Sequence, residues 1–107
     1  MRQGGNNMSN DAEKFKEKIY NLMIGTFDLE HYPIHESQFV ANEYEDGKFC
    51  DKAYEEVYNA NRRICECLGV DEDKDVELII SNLIDIGKHL SMKMYDYGVF
   101  FSSPSIK

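Results

Sequence analysis

The longest run of helical periodicity in the chain lies in residues 73–98, DKDVELIISNLIDIGKHLSMKMYDYG. Val76, Ile80, Leu83, Gly87, Leu90, Met94 and Tyr97 alternate in steps of four and three, which places them on one stripe of an α-helix. Ile79 and Ile86 widen that stripe on one flank and Ile84 on the other, while Asn82, Asp85, His89, Lys93 and Asp96 repeat on the opposite, polar side. Leu78 and Met92 are out of place there. Asp73, Asp75 and Glu77 crowd the first turn, where they favour the positive end of the helix dipole, and Gly98 offers the left-handed conformation that stops a helix. A stripe this broad exceeds what one neighbour covers, so at least two other helical surfaces, from this chain or from another copy, are expected to pack on it.

Two shorter helices are predicted upstream. Asn10 is a good N-cap with Glu13 three residues on, and Ala12, Phe15, Ile19, Leu22 and Met23 follow at helical spacing until Gly25. Lys14, Lys16 and Lys18 interleave with Glu13 and Glu17 and read as a solvated face with helical ion pairs. A second helix is expected over residues 48–68, with Cys50, Tyr54, Val57, Asn61, Ile64 and Leu68 on one stripe and Ala53, Ala60 and Cys67 widening it. Gly69 is a natural stop, with Val70 placed to fold back on Ile64 or Cys65. So short a link to the long helix makes the two antiparallel neighbours. A turn centred near Asp71 would set Asn61 against Ile80 and Tyr54 against Gly87, the glycine making a notch for the ring.

Between these helices, residues 26–47 lose the periodicity, contain Pro33, and carry Asp28, Glu30, Glu36, Glu43, Glu45 and Asp46 with no Lys or Arg among them. Phe27, Tyr32, Ile34, Phe39, Val40 and Tyr44 are too many large apolar groups for a free linker, so a long loop pinned to the core, with room for one short helical turn, is expected. After Gly98, Val99, Phe100 and Phe101 precede a polar tail. The expected organisation is a disordered leader (1–9), one helical domain (10–101) and a disordered tail (102–107).

Composition narrows the partners. Twenty acids against twelve Lys and Arg give a formal charge of −8, which disfavours direct binding to nucleic acid or to an anionic membrane surface. No window approaches the roughly 18 unbroken apolar residues of a membrane span, and the polar start MRQGGNNMSN lacks a signal-peptide core. A cytoplasmic protein with reduced thiols is expected, since three cysteines without a secretion signal make a poor disulfide framework.

The candidate chemistry is thin. Cys50, Cys65, Cys67, His31, His35 and His89 are potential zinc ligands, but Cys65 and Cys67 point to different sides of a helix and Pro33 disrupts the turn that would align His31 with His35. Asp71, Asp73 and Asp75 alternate as in a calcium loop, yet Val76 stands where its glycine is needed and Asn82 where its glutamate is needed. Neither a nucleophile elbow nor a Gly-rich phosphate loop occurs. The expectation is no metal, no cofactor and no enzymatic activity.

The segment RRICECLGVDEDKDVE followed by IISNLIDIGKHLSMKMYDYG resembles short acidic helical proteins of unknown function from bacterial genomes and mobile elements, a likeness covering residues from about 46 to 98. A phage or mobile-element origin would imply inhibition of a host protein; the resemblance brings no activity and no residue roles. The fold expected is all-α: a short N-terminal helix, an acidic loop, and an antiparallel hairpin with a long C-terminal helix, two copies of which would form a dimeric four-helix bundle. The expected function is non-enzymatic protein binding or regulation, with Met94, Tyr95, Tyr97, Val99, Phe100 and Phe101 as the interface. The alternative is an acidic inhibitor that mimics nucleic-acid charge through Glu36, Glu43, Glu45, Asp46, Glu55 and Glu56.

Overall fold

The computed structural model describes residues 3–102, and all the regular structure among them is helical, with no strand. Helix α1 spans Gln3–Met23, a short 3-10 turn spans His35–Gln38, α2 spans Phe49–Leu68 and α3 spans Lys74–Ser102. The chain divides into two compact units, Met1–Asp51 and Lys52–Lys107.

In the first unit, α1 begins upstream of Asn10, which therefore lies inside the helix and is not its cap, and the helix covers most of the leader expected to be disordered. Two glycines and two asparagines in that stretch are weak helix formers, so local propensity gives no reason for the extension. The other end of α1 is well specified. Gly25 takes φ +79°, Thr26 N–H donates to Asn21 C=O and Gly25 N–H to Leu22 C=O, the paired bonds of a glycine helix stop. Side-chain substitution is doubly disfavoured there, because a Cβ would also lie 2.7 Å from the Asn42 amide.

The acidic loop is pinned, as its apolar content requires. Glu43 N–H donates to the Met23 carbonyl at 2.7 Å, satisfying an end-of-helix acceptor, and Lys18 Nζ lies 4.0 Å from Glu36 Oε2. Leu22 is buried at 4% exposure, and Ile19, Met23, Phe27, Ile34 and Val40 are half-buried, whereas Tyr32 and Phe39 remain exposed. Lys16 corrects the expected solvated lysine face: it is buried at 5% exposure and pairs with Glu13 at 3.0 Å.

In the second unit the hairpin is specified at its turn. Gly69 takes φ +73°, its N–H reaching Glu66 C=O while Val70 N–H reaches Cys65 C=O, so Gly69 and Val70 end α2 as their sequence implies. Asp73 then caps α3: its Oδ1 accepts from Val76 N–H at 3.0 Å, with Asp75 and Glu77 in the first turn. Across the hairpin, Asn61 Nδ2 donates to Glu77 Oε2 at 3.2 Å. That bond sets Asn61 beside Glu77, three residues before the expected partner Ile80. A Cβ at Gly87 would meet nothing within 4 Å, so the proposed notch for the Tyr54 ring does not exist.

On α2, Cys50, Ala53, Ala60 and Asn61 are half-buried and Cys65 is buried at 6% exposure, whereas Cys67, expected to widen the packed face, is exposed. Cys65 Sγ–H donates to Asn61 Oδ1 at 3.5 Å. The end of α3 also departs from expectation: Gly98 is helical, with no positive φ, and the helix continues through Val99, Phe100, Phe101 and Ser102. Residues 103–107 of the expected disordered tail lie outside the described residues.

Candidate interaction surface

Helix α3 is apolar on two sides, and the two have different fates. Its half-buried positions are Val76, Ile80, Lys88, Ser91 and Met92; Val76, Ile80, Lys88 and Met92 lie on one line of four-residue spacing, from which Ile84, exposed at 49%, drops out. Met92, out of place on a supposed polar side, belongs to that line. The predicted stripe therefore splits: Val76 and Ile80 are half-buried, while Leu83, Leu90, Met94 and Tyr97 are exposed. With Ile79, Ile86 and Phe101 these make a continuous exposed row, every member more than half exposed, reaching 72% at Met94 and 61% at Phe101. A shallow groove lined by Asn82, Asp85, Ile86, His89 and Leu90 runs beside its middle.

The six expected interface residues all lie on the C-terminal part of α3, and all are exposed. They do not share one face. Met94, Tyr97 and Phe101 stand together on the exposed row, and Phe100 flanks it with its ring edge-on to Phe101, centroids 5.0 Å apart. Tyr95 and Val99 fall on the other side of the helix. The signal that would have found the row is its spacing: Ile79 and Leu90, Leu83 and Met94, Ile86 and Tyr97, and Leu90 and Phe101 are each eleven residues apart.

The expected acidic residues are divided between the two units. Glu36, Glu43, Glu45 and Asp46 belong to the first unit and Glu55 and Glu56 to the second. Glu36 faces Lys18, and Glu45 Oε1 lies 3.8 Å from Lys48 Nζ. Asp51, beside them, accepts the Gly47 N–H at 3.1 Å and so stabilises the start of α2.

Of the residues weighed as metal ligands, the cysteines are all free thiols, and His35 meets the Phe39 ring edge at a centroid distance of 5.3 Å. The ligand atoms of Asp28, Glu30 and His31 converge within 4.8 Å in the acidic loop, a grouping that sequence reasoning missed and that the D-x-E-H spacing could have suggested. All three are exposed. The Asp28 carboxylate holds both the His31 backbone N–H, at 3.2 Å, and its Nδ1, at 2.8 Å, which explains the convergence as a locally bonded turn before Pro33. Asp73, from the run tested as a calcium loop, serves as the cap of α3.

No helix among the described residues is long and apolar enough to cross a membrane. No family model, curated protein or solved structure matches the chain.

Proposed function

We propose that this protein is a non-enzymatic protein-binding or regulatory module that works through the apolar surface of α3, and that two hairpins assemble into a dimeric four-helix bundle. One observation supports the reading above others: seven large apolar side chains stand exposed in a single row, an arrangement rare on a monomer that has no partner. Met94, Tyr97 and Phe101, with Phe100 beside them, supply the aromatic and methionine character that protein interfaces favour. The acidic-inhibitor reading is favoured by the exclusively acidic loop of residues 26–47, but the lysines facing Glu36 and Glu45 dilute its charge.

The two readings part in salt. Capture from the native host with the parent chain and with Phe100→Glu/Phe101→Glu, at low and at moderate ionic strength, separates them. An apolar interface keeps its partner at moderate salt and loses it on the double substitution. A charge mimic does the reverse.

A further inference from the structure

We infer that the occupant of the exposed row on α3 is the same row of a second copy, laid antiparallel with Leu90 on the twofold axis. The inference rests on the reading that α3 takes a protein partner, and it names that partner and its geometry. Ile79, Leu83, Ile86, Leu90, Met94, Tyr97 and Phe101 are spaced four, three, four, four, three, four, an eleven-residue repeat sustained over two full periods. At 3.67 residues per turn this repeat follows an α-helix with little drift, so the row stays on one side for about 33 Å and suits a nearly straight helix-to-helix seam.

The spacing reads the same from either end, with Leu90 at its centre. A twofold axis through Leu90 therefore sets every row position against another row position: Ile79 against Phe101, Leu83 against Tyr97 and Ile86 against Met94 of the second copy. The two outer pairs each join an aliphatic side chain to a larger aromatic one, and Ile86 and Met94 are of similar volume, which keeps the seam even in width. Parallel pairing would stack Tyr97 and Phe101 on their own copies at one end and Ile79 and Leu83 on theirs at the other, giving a wedge.

Charge selects the same orientation. Asp73, Asp75 and Glu77 make the start of α3 acidic, and Asp75 stands eleven residues before Ile86, on the row itself. Parallel pairing would press Asp75 onto its copy and align the helix dipoles; antiparallel pairing puts the two acidic starts at opposite ends of the seam and opposes the dipoles. Seven side chains that are each more than half exposed offer several hundred Å² of apolar area per copy, approaching the roughly 800 Å² per partner of specific interfaces.

Oxidative cross-linking with light scattering tests this. In a Cys67→Ser chain, which keeps buried Cys65 and half-buried Cys50 and serves uncross-linked as its own control, single cysteines are placed at residues 83, 90 and 97. Leu90→Cys is expected to cross-link to itself; Leu83→Cys and Tyr97→Cys are expected to cross-link when mixed and not alone. Leu90→Glu, with helix content unchanged by circular dichroism, is expected to bring the two-chain mass down to one. Self-cross-linking of Leu83→Cys would overturn the antiparallel register in favour of a parallel one. A two-chain mass unaffected by Leu90→Glu, with no cross-link at residue 90, would overturn the seam and leave the dimeric binding module standing on another face. A one-chain mass at tens of micromolar would overturn the seam and the dimer together.

Discussion

The two ends of α3 are built on opposite terms. Its first turns are fixed by local chemistry: the glycine stop at Gly69, the Asp73 cap and the Asn61–Glu77 bond hold them to α2, and Val76 and Ile80 are half-buried. Its last turns run through Gly98 without a stop and leave Met94, Tyr97, Phe100 and Phe101 exposed. The exposed row runs along both, through Ile79 and Leu83 as through Met94 and Phe101, and what separates the ends is whether α2 reaches them. At 1.5 Å per residue, α3 is about 43 Å long and α2 about 30 Å, so the hairpin cannot cover the far end of its longer arm.

The largest expected effect lies in the hairpin's packed part. Cys65→Asp puts a carboxylate at a position 6% exposed, beside the Asn61 side chain, and should cost several kcal/mol, read as lost helicity and a lowered melting temperature. Cys67→Asp, two residues on and exposed, should stay within about 0.5 kcal/mol of the parent. Equal losses from the two would mean that α2 packs by a different face.

A middle-sized effect probes the cap. Asp73→Ala removes the acceptor for Val76 N–H and should cost about 1 kcal/mol in thermal unfolding, with Asp73→Asn retaining most of it. The smallest pair differs in sign. Gly69→Ala forces alanine to φ near +73° and should cost about 1 kcal/mol, whereas Gly98→Ala, in regular helix with open space around it, should gain up to about 1 kcal/mol. A loss from Gly98→Ala would show that the helix breaks there in solution. Amide exchange sharpens the comparison further: in a chain held monomeric by Leu90→Glu, residues 76–84 should exchange more slowly than residues 94–102.

Much of the fold was legible in the sequence because its signals are local. Gly25 and Gly69 mark helix ends by their positive φ, residues 48–68 anticipate Phe49–Leu68 to within one residue, and a pinned loop with one short turn was legible in the apolar content around Pro33. What the sequence left open depends on register. Periodicity locates apolar sides but does not say which one the neighbouring helix takes: Cys65 rather than Cys67 turns inward, and the space around Gly87 is empty. Gly98 misled for a related reason: read alone it is a stop, read within the eleven-residue repeat that carries Leu90 to Phe101 it is an interior position. Of the six expected interface residues only Met94, Tyr97 and Phe101 stand on the exposed row; Tyr95 and Val99 fall on the other side of the helix, and Ile79, Leu83, Ile86 and Leu90 were not among the six.

The most direct measurement of the central claim, that the exposed row of α3 is a docking face for its own kind, is the molar mass in solution by light scattering at tens of micromolar. The account predicts the mass of two chains for the parent and of one chain for Leu90→Glu and for Phe100→Glu/Phe101→Glu, with helix content retained. A parent mass of one chain, unchanged by dilution and by those substitutions, would contradict it.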